Sequence, residues 1–202
     1  DNPNANFDRS IYKMTDGSFQ TVFFRPSTVF GASPRLRSDI VFNNFLACAF
    51  TTNRIEIKSD GTPWRPIIHV KDVISAFIAG VEAPAELISA RAFNVGIQNG
   101  NFTVRDIAEA AGRILPDSEI VFTAEHGNDA RTYRVSFNRI FDELGDFYHP
   151  KYNLHSGGQE LVDFLTECKF TVEAFNGQMT NRLRQINYLV KSGVLSESLM
   201  WT

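Results

Sequence analysis

Arg65 is the residue of this sequence best suited to bind an anion. It follows the turn dipeptide Asp60-Gly61 and precedes a short β-branched run that leads into an apolar helix. A guanidinium group can donate two parallel hydrogen bonds to phosphate oxygens, and α/β folds hold ligands in loops around strand ends. The segment therefore predicts a phosphate site, and a surface arginine beside a turn is the alternative that these residues alone leave open.

The histidines and cysteines do not form a second reactive cluster. None of the four histidines stands at metal-ligand spacing from another histidine or from Cys48 or Cys168, so we expect no metal site. His69 follows a buried run, where a hydrogen-bonded core histidine is more common than a catalyst. Two cysteines do not make a disulfide framework, which indicates a reducing, cytoplasmic setting with both thiols acting as packing residues.

Strands and helices alternate along most of the chain. Apolar runs and polar–apolar alternation predict strands at residues 21–24, 54–58, 66–70, 91–97 and 118–123. Helical spacing predicts helices near 38–50, from 71 through Val81, from 103 to about 115, near 136–144, near 158–167 and from about 172 to 191. Ser38-Asp39 and Thr103 are the expected N-caps of two of these helices. The order predicts an α/β fold with parallel strands and a helix-rich tail at about 156–202.

Four sequence motifs stand out along the chain. They are residues 21–31 (TVFFRPSTVFG), 60–73 (DGTPWRPIIHVKDV), 92–96 with 102–108 (AFNVG and FTVRDIA), and 129–152 (from DARTYR to PKY). These motifs resemble those of the extended short-chain dehydrogenase/reductase family, the NAD-dependent nucleotide-sugar epimerases and dehydratases. They occur in the family order, and the resemblance covers roughly residues 16 to 165.

The resemblance implies the terminal part of a Rossmann-like doubly wound parallel sheet plus a small α/β substrate-binding lobe. The family's glycine-rich phosphate turn and Tyr-x-x-x-Lys pair do not occur among the 13 glycines and 5 tyrosines. Residues 1–202 are therefore expected to be the C-terminal half of a longer enzyme, without the dinucleotide-binding half, and no residue is assigned a catalytic role. NAD or NADP would be bound mainly by the absent half.

The resemblance also assigns binding roles to residues of this chain. Pro26 and Ser27 would lie against the nicotinamide, and two arginines, Arg65 and Arg131, would hold the substrate diphosphate. Thr28 stands where many family members have an asparagine that touches the diphosphate, so sugar recognition can differ here. The remaining predicted substrate contacts are Asn43, Ile55, Ile57 and Lys58; the last three lie in a segment that would cradle the nucleotide base through its main chain.

Composition narrows the choice of partners. The formal net charge of -3 with interspersed acids and bases gives no basic stripe, which makes nucleic acid an unexpected partner. No apolar run approaches the roughly 20 residues that span a bilayer, and the first residues lack the apolar core of a signal peptide. The expected partner is a nucleoside-diphosphate sugar, and a homodimer is compatible with the resemblance.

The sequence thus predicts the substrate-binding half of an NAD(P)-dependent nucleoside-diphosphate-sugar epimerase or dehydratase. The whole enzyme would act by transient removal and return of a hydride, whereas the 202-residue chain alone would be inactive. The alternative is a non-catalytic module of the same fold that binds a nucleotide sugar or a protein partner. If half of the sheet is missing, the apolar edge left by it is expected to promote aggregation or pairing with the other half.

Overall fold

The computed structural model describes residues 10–16, 18–123 and 132–202. Seven strands lie in the described part of the chain. They are β1 (Val22–Pro26), β2 (Thr28–Phe30), β3 (Arg54–Ile57), β4 (Trp64–His69), β5 (Arg91–Val95), β6 (Asn101–Thr103) and β7 (Glu119–Phe122). β1 pairs with β5 and β3 with β7, both in parallel, and a third sheet has the order β2–β4–β6.

Eight helices accompany these strands in the described residues. They are α1 (Val41–Thr52), α2 (Val70–Glu82), α3 (Ala85–Ile88), α4 (Val104–Ile114), α5 (Asn138–Leu144), α6 (Leu154–Glu167), α7 (Val172–Asn176) and α8 (Arg182–Lys191). Parallel strands with intervening helices confirm the predicted α/β, Rossmann-like class. No helix of the described residues is long and apolar enough to cross a membrane.

The chain divides into two compact units. The first unit comprises Asp1–Val29, Arg65–Asn101 and Tyr133–Tyr152. The second comprises Phe30–Trp64, Phe102–Thr132 and Asn153–Thr202. Each unit contains one parallel strand pair and its own helices, so the units are described separately.

The first unit is built on the parallel pair of β1 and β5. The register places Phe24 opposite Phe93, and helix α2 packs on β1 while α5 packs on β5. Gly80 permits the close approach of α2, because a Cβ atom there would lie 2.7 Å from the Phe24 ring. The core of this unit is formed by Ile68, Ala76, Ala79, Ala83, Phe93, Val95, Ile140, Leu144 and Tyr148.

The second unit packs helices α1, α4 and α6 around β3 and β7. β3 alternates exposed and buried residues, as the polar–apolar pattern predicted, with Ile55 and Ile57 pointing inward. Gly158 lies at a close contact, because a Cβ atom there would meet the Phe42 ring at 3.0 Å. Helix α4 begins with the predicted Thr103 cap, whose hydroxyl accepts the Asp106 backbone N–H at 3.1 Å.

Two sequence-based expectations about helices are wrong. Helix α1 starts at Val41, and neither Ser38 nor Asp39 caps it: the Asp39 carboxylate pairs with Arg37 at 2.9 Å, and the Ser38 hydroxyl donates to the Thr180 carbonyl. The helix expected over 172–191 is broken after Asn176, since Gly177 is extended and a new cap at Asn181 starts α8.

Candidate functional site

The Asp60-Gly61 turn is formed as predicted and is fixed against the start of α4. The Asp60 carboxylate accepts the Thr62 N–H at 2.9 Å, and Gly61 adopts φ +85°, a conformation that glycine allows without strain. Arg105 holds the turn from the other side: its backbone N–H donates to the Gly61 carbonyl at 3.0 Å, and its guanidinium group donates to the Asp60 carbonyl at 3.2 Å. The turn thus has a rigid support within the second unit.

Arg65 is the second residue of β4 rather than a loop residue before the strand. The strand begins at Trp64, two positions earlier than predicted, and the Arg65 residue is half-buried. From Pro66 onward every residue of β4 is buried, so Arg65 occupies the transition from surface to core. A guanidinium group at such a position is partly withdrawn from water, which strengthens its attraction for an anion.

The predicted nicotinamide residues follow the carboxyl end of β1. Pro26 is the exposed last residue of the strand and pairs with Val95, and the Ser27 backbone N–H donates to the Val95 carbonyl at 3.0 Å. The Ser27 hydroxyl oxygen is buried and makes no hydrogen bond to any described residue. A buried hydroxyl without a partner is uncommon in folded proteins and is a natural point of contact for a bound group.

The neighbouring Thr28 opens strand β2 and is half-buried. Thr28 directly follows Ser27, so the three predicted contact residues, 26–28, are consecutive. They lie where the parallel strand β1 ends. Ligands of open α/β sheets bind outside the carboxyl ends of the strands. The position of residues 26–28 is therefore suited to ligand contact.

Asn43 has a structural task in the second unit. Its side chain is buried, its amide oxygen accepts the Gly31 N–H at 3.0 Å, and its amide nitrogen donates to the Arg37 carbonyl at 3.1 Å. Gly31 has φ +121°, which favours glycine, so the carboxamide anchors a turn before α1 that depends on this residue. A substrate contact through Asn43 stays a prediction.

The predicted base-binding segment lies on β3 and just after it. The Ile55 and Ile57 side chains are fully buried in the second unit, whereas Lys58 is exposed. Contact by the two isoleucines would therefore have to use main-chain groups, as the resemblance implied. One edge of β3 is paired with β7, and no other strand of the described residues pairs with it.

Arg131 lies outside the described residues, and no structural statement is made about it. The described residue that follows it in the chain is Thr132, whose hydroxyl accepts the Trp64 backbone N–H at 3.0 Å within the second unit. The residue before Arg65 and the residue after Arg131 are thus joined by a hydrogen bond.

His69 at the end of β4 and Asp72 in the first turn of α2 hold a loop that is distant in the chain. Asp72, only 2% exposed, accepts the Lys151 N–H at 2.8 Å on one carboxylate oxygen and the Tyr152 N–H at 3.1 Å on the other. The His69 ring is buried, accepts the Lys71 N–H, and stacks on Tyr152 with ring centroids 4.0 Å apart. The prediction of a hydrogen-bonded core histidine is therefore confirmed.

Sequence reasoning missed the long-range hydrogen bonds of Asp72 with Lys151 and Tyr152. Tyr148 belongs to the core of the first unit, and its hydroxyl donates to the Gly96 carbonyl at 2.9 Å. Burial, together with the Asp72 charge, raises the pKa of the Tyr148 phenol well above its usual value. No local sequence pattern predicts that the PKY segment lies beside Asp72, because Lys151 is 79 residues further along the chain.

Each unit also contains a surface cleft. A polar cleft of about 360 Å³ in the first unit lies beyond the carboxyl end of β5 and includes Gln98, Asn99 and Asn138, and a more apolar one of about 280 Å³ in the second unit includes Arg113 and His155. Neither cleft is lined by a predicted binding residue. Among the described residues no group of three or more His, Cys, Asp or Glu side chains could hold a metal ion.

Comparisons with known proteins show what this chain resembles. Residues 8–96 match the model of the NAD dependent epimerase/dehydratase family. The fold resembles UDP-glucose 4-epimerase from Thermotoga maritima, solved with UDP-glucose (TM-score 0.67, 20% identity, 82% of this chain and 52% of that chain). It also resembles UDP-glucuronic acid 4-epimerase from Bacillus cereus, solved with UDP-glucuronic acid and NAD (TM-score 0.64, 20% identity, 81% of this chain and 50% of that chain).

A third similar structure is dTDP-glucose 4,6-dehydratase from Bacillus anthracis, solved with NAD (TM-score 0.61, 22% identity, 81% of this chain and 49% of that chain). The chain thus spans about half the length of the solved structures that it matches. At these identities the structural likeness establishes the fold alone. The chain is thus similar to the NAD dependent epimerase/dehydratase family over residues 8–96, and its fold resembles that of these enzymes.

Proposed function

We propose that this chain is the substrate-binding portion of an NAD(P)-dependent epimerase or dehydratase that acts on a nucleoside-diphosphate sugar. The observation that carries the proposal is the family match over residues 8–96 in a chain whose fold resembles enzymes solved with UDP-glucose or UDP-glucuronic acid. The predicted binding residues at the strand ends are chemically suited to contact the cofactor or the nucleotide sugar.

Ser27 is suited to contact a nicotinamide. Its buried hydroxyl lacks a partner among the described residues, and a carboxamide offers both a donor and an acceptor to such a group. Pro26 has no N–H to leave unsatisfied, so an apolar ring can lie against it without burying a donor. NAD or NADP, when bound, would supply the nicotinamide that takes up and returns a hydride; these two residues would orient its edge.

Arg65 and Arg131 would neutralise the diphosphate. Two guanidinium groups match a bridge that carries two negative charges, and each can form a bidentate contact with its oxygens. The rigid Asp60-Gly61 turn before Arg65 limits the entropy lost when the ligand binds.

The base of the nucleotide would contact the main chain around Ile55, Ile57 and Lys58. The buried side chains of the two isoleucines hold β3 in place, and the exposed Lys58 can reach a phosphate or the base edge. Thr28 would donate a single hydrogen bond to the diphosphate. The Asn43 carboxamide already bonds to Gly31 and Arg37, so only its remaining N–H and lone pair could contact the substrate.

Calorimetry with the 202-residue chain tests the ligand. UDP-glucose and GDP-mannose are titrated into the chain and into two variants, Arg65→Ala and Arg113→Ala. Removing charge-assisted hydrogen bonds worth about 1.5–3 kcal/mol predicts a rise in Kd of about 10- to 100-fold for Arg65→Ala. Arg113→Ala removes an exposed guanidinium on α4 and should leave Kd unchanged.

The outcome decides between the proposal and its alternative. Equal loss of binding in both variants would mean a diffuse charge effect rather than a site at Arg65. No binding of either nucleotide sugar to the wild-type chain would favour a module that binds a protein partner. With added NAD, the 202-residue chain is expected to turn over neither sugar, because it has no Tyr-x-x-x-Lys pair.

A further inference from the structure

The polar cleft of the first unit has an uncharged lining. It is the cleft of about 360 Å³ beyond the carboxyl end of β5 and is called the β5 cleft below. No charged or histidine side chain of the described residues lines it, and its polar lining residues are Gln98, Asn99, Asn101, Ser136 and Asn138. The volume falls in the range of small-molecule sites, about 300–1,000 Å³. The β5 cleft therefore has the size and the polarity of a site for a small uncharged ligand.

The two walls of the β5 cleft are tied together by Asn101. Its carboxamide donates to the Val135 carbonyl at 2.9 Å and accepts the Val135 N–H at 2.8 Å. The turn that forms the first wall is closed by the Gly100 N–H, which donates to the Ile97 carbonyl at 3.0 Å. Walls that are already formed lower the entropy cost of binding a ligand.

The second wall is clamped on the end of β5. The Phe137 ring packs so closely on Gly96 that only a residue without a Cβ atom fits there. The Asn94 amide nitrogen also donates to the Ser136 carbonyl at 3.3 Å. Both contacts lie behind the cleft surface, so they position Ser136 and Asn138 without using their side chains.

Three carboxamides of the β5 cleft have unused hydrogen-bonding capacity. The side chains of Gln98, Asn99 and Asn138 form no hydrogen bond with any described residue. Each carboxamide offers two N–H donors and one acceptor oxygen, and the Ser136 hydroxyl can donate and accept as well. An apolar ligand would bury these groups without partners, which is costly.

The arginine nearest to these carboxamides in the chain is engaged elsewhere. Arg139 follows Asn138, but its guanidinium group donates to Glu143 at 2.9 Å and to the Ala92 carbonyl at 3.1 Å. A phosphate or carboxylate in the β5 cleft would therefore have no cation of the lining to pair with, and burying an unpaired charge is unfavourable.

We propose that the β5 cleft binds an uncharged sugar ring at a site separate from the one proposed for the nucleotide sugar. Neighbouring hydroxyl groups of a sugar ring each donate and accept, so one carboxamide can donate to the first and accept from the second. None of the residues predicted to contact the nicotinamide or the diphosphate lines the cleft. The inference does not rest on the proposed function, because its ligand needs neither a nucleotide nor a cofactor.

Side-chain NH₂ signals in ¹⁵N–¹H correlation spectra test the inference. Methyl α-glucopyranoside, methyl α-galactopyranoside and methyl α-mannopyranoside are titrated into the 202-residue chain. For ligands of about 13 non-hydrogen atoms, we expect a Kd of about 1–10 mM for at least one of them. The signals of Gln98, Asn99 and Asn138 should shift in a saturable manner. The signal of Asn187, an exposed residue of α8, should not shift.

Two variants locate the site. Asn138→Ala removes one carboxamide, and Asn99→Gly removes another while glycine tolerates the left-handed φ of +57° at this position. Each loss of one or two neutral hydrogen bonds should raise the Kd about 3- to 30-fold. Asn187→Ala is the matched control and should leave the Kd unchanged.

Three results would overturn the inference. The first is the absence of a saturable shift for every glycoside up to about 100 mM, well above the expected Kd. The second is a shift at Asn187 as large as those in the cleft, which would indicate a general solvent effect. The third is competition by UDP, since the cleft offers no cation for a diphosphate. The glycosides carry no diphosphate, so their failure to bind is distinguishable from failure of nucleotide-sugar binding at Arg65.

Discussion

Replacing Asp72 by asparagine should destabilise the protein by about 2–4 kcal/mol. The carboxylate is 2% exposed and accepts one N–H on each oxygen, from Lys151 and Tyr152. Asparagine keeps one acceptor but turns an NH₂ group toward the other N–H. One charge-assisted hydrogen bond, worth about 1.5–3 kcal/mol, is lost, and an unpaired buried donor adds about 1–3 kcal/mol, partly offset because no charge is then buried.

Urea unfolding at pH 7 measures this change, and amide hydrogen exchange locates it. The free energy of unfolding of Asp72→Asn is compared with wild type and with Asp142→Asn, an exposed carboxylate on α5 that should change it by less than about 0.5 kcal/mol. In the folded state, exchange of the Lys151 and Tyr152 amides should accelerate about 30-fold or more if local opening loses 2 kcal/mol. Unchanged protection of both amides, with unfolding like that of Asp142→Asn, would refute the anchoring role of Asp72.

Three further predictions concern stability. Hydrogen bonds from two arginines hold the pKa of Glu143 below its usual value. The ionised carboxylate therefore contributes less than about 1 kcal/mol to the free energy of unfolding above about pH 4.3, and this contribution is lost as the pH falls through the folded pKa. Urea unfolding curves of Glu143→Gln and wild type should converge in acid, and a constant difference would contradict the ion pair. Gly80→Ala should cost about 1–3 kcal/mol despite better helix propensity, because its Cβ would lie 2.7 Å from the Phe24 ring; a more stable variant in thermal unfolding would show that α2 can shift. Thr103→Ala should cost about 0.5–2 kcal/mol by removing the cap of α4, whereas Thr103→Ser should retain most of it.

The order of the elements and several of their ends could be predicted from the sequence. The alternation of β3, the Thr103 cap and the Asp60-Gly61 turn depend on residues within a few positions of each other. Such local hydrogen bonds and periodicities are readable because both partners lie in one short window. The family motifs added the fold class, which the parallel pairing of β1 with β5 confirms.

Which face of a helix is buried depended on the tertiary structure. Large apolar side chains recur along α2 at helical spacing, yet Phe77 and Val81 are exposed, whereas the buried residues of the helix include Ala76 and Ala79. Gly80 lies where a Cβ atom would meet the Phe24 ring, which no pattern within α2 indicates. The break after Asn176 is a further example, because helical spacing continues through Gly177 while the backbone does not.

The binding residues show the same division. The sequence by itself determined that Arg65 follows a turn and that Ser27 lies at a strand end, next to Pro26, because both follow from local residue types. Only the tertiary structure decided that the Ser27 hydroxyl is buried without a partner among the described residues and that Asp72 anchors a loop 79 residues away. The physical reason is that burial and long-range hydrogen bonds depend on packing between segments distant in the chain, which no local pattern encodes.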